Sequence, residues 1–210
     1  MKAWSTFYPD VLPELPGAPL PMVDHWLRNA VIEFCERSKA LVADLDLINA
    51  VTGQPGYVLP APTGTDMVEV VGAWFSGKKI TPKSPLYLDG KYEDWATETG
   101  TPDHYTQQAK DSILLVPMPE ADAVGALKIK AAIKPSATST GVDDWIFAQF
   151  RKAIAAGCKA GMMAMPSVEW ANPDRVALNA SLFEDAVTKA TEAAANGFTR
   201  AKPRYSGGFC

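Results

Sequence analysis

Apolar side chains recur every three or four positions between residues 22 and 41. They stand at positions 23, 26, 27, 30, 31, 34 and 41, and this spacing places them on one face of an α-helix. The charged residues Glu33, Glu36 and Arg37 mostly fall on the other face. The pattern predicts an amphipathic helix over residues 22–41.

The pattern changes after the run Gly53-Gln54-Pro55-Gly56. Short β-branched and aromatic runs now alternate with Gly, Pro and Asp clusters, which is typical of strands and turns. The predicted strands are residues 57–59, 67–75, 79–82, 113–116 and 126–133. Ser76-Gly77-Lys78 predicts a hairpin turn, because glycine readily adopts the positive φ that such turns require. We expect an antiparallel sheet of about five strands.

Helical spacing returns after residue 140. Ile146, Phe150 and Ile154 predict a long helix over residues 142–165, which ends before Pro166. Gly157 and Gly161 lie four positions apart within it, and each costs roughly 1 kcal/mol of helix propensity relative to alanine. Close approach of another helix is the compensation that we expect.

A last helix has a well-marked start. Asn172 is a predicted N-cap, Pro173 suits the first turn, and Asp174 lies beside the positive end of the helix dipole. Apolar residues then follow at steps of four and three, which predicts a narrow seam for packing against other helices. Gly197 is the predicted end of this helix.

These elements predict an α+β fold. One N-terminal and two C-terminal helices form a helical bundle, and a central antiparallel β-rich insertion interrupts it. The predicted domains are an N-terminal arm, ordered or semi-ordered, whose repeated prolines favour extended backbone, a bundle in two pieces, the β-rich insertion and a basic C-terminal tail. Their bounds are residues 1–21, residues 22–52 and 136–198, residues 53–135, and residues 199–210.

Composition narrows the class of protein. The 210 residues are 47% hydrophobic and 21% charged, as in ordinary soluble globular proteins. The net charge of −4 gives no basic field to gather DNA. The apolar runs are too short to cross a bilayer, so we expect a protein that neither spans a membrane nor is secreted. Cysteines at positions 35, 158 and 210 form no CxxC pair, and free thiols in a reducing compartment are expected.

Residues that could carry chemistry are few. The chain has two histidines, His25 and His104, and both are assigned structural roles. Asp143 and Asp144 are interpreted as charges at a helix start. Ser76 and Lys79 have the spacing of a Ser-x-x-Lys motif but fall at a predicted hairpin tip. We therefore expect no catalytic residue, no metal site and no cofactor.

Four motifs follow one another in an order that resembles the head-to-tail adaptor proteins of tailed bacteriophages. The resemblance covers about residues 26–198, and its specificity lies in the order rather than in any single motif. The motifs are residues 26–41 with 51–60, Asp94-Trp95 with residues 100–105, residues 113–119 with Lys134-Pro135-Ser136, and residues 164–173 with the last helix. The positions that carry it most clearly are Trp95, Gly100, Pro102, Tyr105, Trp170 and Pro173.

This resemblance implies a structural virion protein rather than an enzyme. It implies a homo-oligomeric ring of twelve copies in the virion neck, assembled in the host cytoplasm, between the portal protein and a tail tube or nozzle protein. Such a ring needs two different contact faces on each subunit. It also implies that double-stranded DNA passes without specific binding, which a mildly acidic protein favours because it repels phosphates.

The C-terminal tail is the predicted portal contact. Its composition changes abruptly after Gly197 to a basic segment without acidic residues. We expect it to order on docking, with cations that seek portal acids and aromatic anchors. The candidate portal-binding residues are Arg200, Lys202, Arg204, Tyr205 and Phe209.

Two alternatives stay open at this point. A tail-completion or neck protein of the same particle would have a similar composition. A small carbohydrate-active enzyme or hydrolase could instead hold its site in the β-rich insertion, since aromatic clefts with two nearby carboxylates cleave sugars. Its candidate residues are Trp74, Tyr87, Trp95 and Tyr105, with the acids Asp89, Glu93 and Asp94.

Overall fold

The computed structural model describes residues 1–92 and 94–196. It divides into two units, one that holds most of the helices and one that holds most of the strands. The helical unit comprises residues 1–40 and, after the β unit, residues 137–196. The β unit comprises residues 41–136. The predicted α+β class is confirmed.

The N-terminal segment is folded. It contains the short strand β1 (Lys2–Ala3), 3-10 turns at Trp4–Phe7 and Leu12–Glu14, and the single-turn helix α1 (Tyr8–Val11). Its apolar side chains are buried: Trp4, Phe7, Val11 and Leu15. The expectation of extended backbone in this segment is therefore wrong, although the segment is ordered. The physical reason is that prolines open the helical turns, where a missing N–H costs nothing.

Helix α2 (Leu20–Ser38) confirms the first predicted helix. It has a proline in its first turn and ends at Lys39, which has a left-handed conformation with φ of 54°. Its buried side chains include Val23, Leu27 and Phe34, as the spacing predicts.

The β unit holds ten strands and one short helix among its described residues. In chain order they are β2 (Val42–Asp44), β3 (Ile48–Ala50), β4 (Gly56–Val58), β5 (Thr65–Phe75), β6 (Lys78–Pro82), α3 (Pro85–Lys91), β7 (Thr99–Gly100), β8 (His104–Ala109), β9 (Ser112–Val116), β10 (Met118–Pro119) and β11 (Ala123–Pro135). All five predicted strands are present. The sequence-based boundary at residue 52 is wrong, because β2 and β3 already pair with β11.

Eight of these strands form one curled sheet. Its order is β2-β11-β5-β6-β8-β9-β4, and β3 also pairs with β11. The pairs are antiparallel except for β6 and β8, which run parallel with Thr81 opposite His104. The prediction of about five strands, all antiparallel, was therefore too simple. Strands β2 and β3 have only three residues each, and β8 is largely polar. The sequence pattern therefore predicts none of these three strands strongly.

The predicted hairpin turn joins β5 to β6. Ser76 and Gly77 have φ values of 47° and 81°, and Phe75 pairs with Lys78 across the turn. Two positive φ values match the twist of the flanking strands. The core of the β unit lies against this sheet and includes Ile80, Ile113, Leu115, Leu127 and Ile129.

The chain then completes the helical unit. Strand β12 (Gly141–Val142) pairs with β1. Helix α4 (Asp144–Met163) begins after Asp143, whose carboxylate accepts a hydrogen bond of 2.8 Å from the Trp145 N–H. Helix α5 (Pro173–Asn196) begins at the predicted proline. Its predicted end at Gly197 lies outside the described residues.

The two glycines of α4 lie against aromatic rings from other helices. A Cβ built on Gly157 would stand 2.6 Å from Cδ2 of Phe183 on α5, and one built on Gly161 would overlap the ring of Trp26 on α2. Real Cβ atoms do not approach so closely. The predicted reason for these glycines, close approach of other helices, is confirmed.

Candidate functional site

The two histidines belong to different units, and each makes a local hydrogen bond. His25 on α2 bonds to Asn29 at 3.0 Å, while the ring of His104 in the β unit bonds to Thr81 at 2.7 Å. Among residues 1–92 and 94–196, no three His, Cys, Asp or Glu side chains are grouped to hold a metal ion. No described helix has the length and apolar character needed to span a membrane.

Two of the three cysteines lie inside the helical unit. Cys35 and Cys158 are both free and buried. Burial raises the pKa of each thiol to about 12, with smaller electrostatic effects from Asp143 on Cys35 and from Lys159 on Cys158. Both are therefore protonated at neutral pH and poor nucleophiles. Cys210 lies outside the described residues.

Trp74 and Tyr105, two of the aromatic residues proposed for a sugar site, line different surface hollows. Trp74 lines a surface hollow with Leu47 and Lys128, whereas buried Tyr105 lines a separate one with Gln107. The Trp95 indole N–H donates to the carboxylate of Asp89 at 2.9 Å. The Tyr87 ring lies under the ammonium of Lys83, 4.4 Å from the ring centroid. Glu93 lies outside the described residues.

Four of the family-motif positions belong to the β unit. Gly100 pairs with Pro119, and a Cβ on it would meet Cγ of Pro117 at 3.1 Å. Pro102 and Tyr105 are buried, and burial raises the pKa of the Tyr105 hydroxyl. Trp95 is half-buried. These contacts assign Gly100, Pro102 and Tyr105 to packing of the β unit.

The other two positions, Trp170 and Pro173, lie in the helical unit where α4 gives way to α5. The Asn172 N–H donates to the Met163 carbonyl at 3.0 Å, which fixes the connection between the two helices. The Trp170 Nε1 is buried and has no hydrogen-bond partner among the described residues. Pro173 is exposed in the first turn of α5.

A groove of about 240 Å³ opens in the helical unit among α2, α4 and α5. We call it the helical groove. Small residues of α4, Gly157, Ala160 and Gly161, line it together with the half-buried Trp26. Arg37 on α2 bridges two of the nearby acids, Glu33 and Glu184. The hydrogen bonds from Arg37 hold the pKa of Glu184 below its usual value.

A second surface feature, which we call the β hollow, lies on the β unit. It encloses about 380 Å³ and is lined by Leu47, Trp74, Gly77, Gly125, Ala126 and Lys128. The Trp74 indole lies across Gly72, where a Cβ would stand 2.8 Å from the ring. The Lys128 ammonium lies 5.9 Å from the centroid of that indole. Leu47 is 62% exposed.

A third feature is the outer side of α5. Leu178 and Leu182, one helical turn apart, are 60% and 50% exposed. Asp174 precedes them by one turn and Asp185 follows Leu182 by three residues, and both aspartates are exposed. We call these four residues the α5 leucine face. Phe183, Val187 and Ala190, on the opposite side of the helix, are buried.

The exposed leucines of α5 were not predicted from the sequence. Leu178 and Leu182 do not belong to the predicted seam, and their four-residue spacing between acidic residues was the available signal. The predicted portal-binding residues, Arg200, Lys202, Arg204, Tyr205 and Phe209, lie outside the described residues.

Comparison with known proteins identifies the family. A search of curated proteins found no match. The family model described as SU10 adaptor protein matches residues 5–204, nearly the whole chain. This match confirms the resemblance to head-to-tail adaptor proteins of tailed bacteriophages, whose family is one of structural adaptors rather than enzymes. The chain therefore belongs to the SU10 adaptor protein family.

Proposed function

We propose that this phage structural adaptor forms a ring that joins the portal protein to the tail in the neck of the virion. The observation that carries the proposal is the family match over residues 5–204. This range includes nearly all of the helical unit and the whole β unit. The proposal therefore concerns the complete fold rather than one motif.

A ring requires heterologous contacts, in which one surface of a subunit meets a different surface of the next. The chain offers several surfaces of different character. The helical groove is lined by small residues and Trp26, the β hollow is lined by an indole and a lysine, and the α5 leucine face combines leucines with acids. Such variety supports a role in assembly with several neighbours.

We assign separate tasks to the two units. The long helices α2, α4 and α5 act as a bundle that lines or stiffens the DNA channel, and the β unit faces outward or toward the tail tube or nozzle protein. Support comes from the contacts among these helices, such as the Phe34 ring 4.7 Å from Phe150 and 6.2 Å from Phe183. Rigid packing of this kind suits a subunit that keeps a pore open.

The passing DNA is not bound. The net charge of −4 supports this part of the proposal, because an acidic wall repels phosphates while a basic wall would hold them through released counterions. The protein is assembled in the host cytoplasm and acts in the virion. It catalyses no reaction, in agreement with the structural character of its family.

The basic tail is the proposed portal anchor, with Arg200, Lys202, Arg204, Tyr205 and Phe209 as its contacts. Its sequence supports this role, since it has cations and aromatic residues but no acids after Gly197. The test is deletion of residues 203–210. We expect a variant that folds as the full chain does but no longer joins portal-containing heads, and unimpaired joining would refute the tail's role.

Binding to isolated portal separates the adaptor from a tail-completion protein of the same particle. The full chain is mixed with purified portal rings, sedimented, and the bound fraction is measured. We expect the chain to sediment with the portal in the absence of any tail protein. A chain that stays in the supernatant with portal, but sediments with assembled tails, would favour the tail-completion alternative.

A further inference from the structure

The surface of the β hollow carries an excess of positive charge although the chain as a whole is acidic. Lys128 and Lys130 project from β11 and Lys79 from β6, and all three are exposed. Asp44 forms an ion pair of 3.9 Å with Lys128 and stands opposite Lys130, and Asp46, two residues further along the chain, is also exposed. Three lysines against two aspartates leave one net positive charge beside an apolar hollow.

The hollow itself is built to receive an apolar side chain. Trp74 is held across Gly72, with Lys79 directly opposite it on β6 and Lys128 directly opposite it on β11. Leu47 also lines the hollow, and Val124, next to the lining residue Gly125, is 93% exposed. Exposed apolar residues clustered in this way mark interaction sites in soluble proteins.

The α5 leucine face has the complementary character. Leu178 and Leu182 protrude from the helix, and the acids Asp174 and Asp185 flank them. The nearby Arg175 donates to Glu14 at 2.8 Å, and Glu14 also accepts from Lys159. The N-terminal part of α5 therefore presents leucines between two aspartates, and the exposed Lys189 follows Asp185 by one turn.

We propose that the β hollow of one subunit receives the α5 leucine face of a second copy of this chain. Leucine side chains enter the hollow against Trp74, and Asp174 and Asp185 meet its lysines. Two complementary surfaces at different places on one chain produce a heterologous contact, which generates a ring when the rotation between neighbouring subunits closes. This inference rests on the proposed ring function and names the two faces that the ring uses.

The test uses two charge-reversal variants, Lys128→Glu and Asp185→Lys. For each variant, the number of chains bound to purified portal rings is measured as a function of chain concentration. Each variant alone places like charges across the contact, which is strongly unfavourable. We expect half-saturation to require at least about a tenfold higher concentration than for the unmodified chain. Lys152→Glu and Glu98→Lys make the same changes in net charge at exposed positions outside both faces and should assemble normally.

Mixing the two variants is the decisive part of the experiment. In a mixture, the altered hollow of a Lys128→Glu copy faces the altered helix of an Asp185→Lys copy, so opposite charges meet again. The next interface around the ring keeps its natural Lys128 and Asp185 pair, and an alternating ring can form. We expect assembly to return to that of the unmodified chain. A variant that had merely failed to fold could not be rescued by mixing.

Other results would overturn the assignment. If each variant assembles as well as the unmodified chain, or if the mixture fails to restore assembly, the two faces do not meet, while the ring function itself stands. If the unmodified chain does not assemble with or without portal, the proposed function fails as well.

Discussion

At the scale of single residues, two glycines set how closely the helices of this protein approach. Gly157 and Gly161 each cost roughly 1 kcal/mol of helix propensity relative to alanine. Because they have no side chain, Phe183 and Trp26 lie directly against the α4 backbone. The ring of Phe183 is buried and also contacts Phe34. It therefore has little room to move away from an added side chain.

Gly157→Ala should lower the free energy of unfolding by about 1 kcal/mol. Overpacking a well-filled core costs about 1–3 kcal/mol, which exceeds the roughly 1 kcal/mol gained in helix propensity. Urea denaturation followed by circular dichroism measures the difference. Gly90→Ala on α3 is the matched control, because a Cβ there meets nothing within 4 Å, and it should stabilise by about 0.5–1 kcal/mol. Equal stabilisation by both substitutions would refute this account of Gly157.

A second residue-scale feature is Glu14, which joins the N-terminal segment to two helices. Its carboxylate accepts hydrogen bonds from Lys159 on α4 at 2.6 Å and from Arg175 on α5 at 2.8 Å. The hydrogen bond from Lys159, aided by Arg175, lowers the pKa of Glu14. A lowered pKa in the folded state means that this contribution to stability is present above the ordinary value near 4.5 and is lost as the pH falls below it.

Glu14→Gln should therefore destabilise the protein by about 1–2 kcal/mol at pH 7, since the largely buried Lys159 loses its counter-charge. The difference from the unmodified chain should be constant above about pH 4.5 and should shrink as the pH falls below it, because the natural carboxyl then becomes protonated. Thermal unfolding at several pH values measures it. Glu192→Gln, at an exposed position of α5, should have little effect, and a pH-independent loss in Glu14→Gln would contradict the ion-pair explanation.

At the scale of elements, the N-terminal segment is the largest departure from expectation. Repeated prolines predicted an extended arm, yet residues 4–15 form helical turns whose apolar side chains are buried. Phe7 packs edge-on against Phe147 of α4 with ring centroids 4.9 Å apart, and the Trp4 indole donates to the Ser139 carbonyl at 3.1 Å. The segment is therefore part of the core of the helical unit.

Phe7→Ala tests this directly and should lower the free energy of unfolding by about 3–5 kcal/mol, the usual cost of removing a buried phenyl ring. Leu86→Ala, at a highly exposed position of α3, should change it by no more than about 0.5 kcal/mol. Both are measured by urea denaturation. A Phe7→Ala variant as stable as the unmodified chain would show that the segment behaves as a free arm.

The helices and long strands could be predicted because each obeys a local rule. The seam on α5, the acidic start of α4 at Asp143 and the Ser76-Gly77 turn all depend on residues that are neighbours in sequence. Strand β8 could not be predicted, because its polar run His104–Ala109 is fixed by pairing with β6 and β9 rather than by its own pattern. The burial of Phe7 is likewise decided by α4, which lies far along the chain.

At the scale of the whole molecule, the family could be predicted from the order of motifs, while the contact surfaces could not. Trp95, Gly100, Pro102, Tyr105, Trp170 and Pro173 were predicted as marks of the family, and the family is confirmed. Several of them pack the fold instead of presenting a surface, as Tyr105 does. The exposed Leu47, Leu178 and Leu182 resemble core residues in sequence, and only their position in the fold distinguishes them.

The central claim is that this chain acts by assembling on a portal. The most direct measurement is native mass spectrometry of the chain alone and after addition of purified portal rings. We predict a single chain of 22.6 kDa in isolation and, with portal, a complex that contains a closed ring of chains, twelve by the resemblance to head-to-tail adaptors. A chain that keeps its single-molecule mass at every portal concentration would contradict the account.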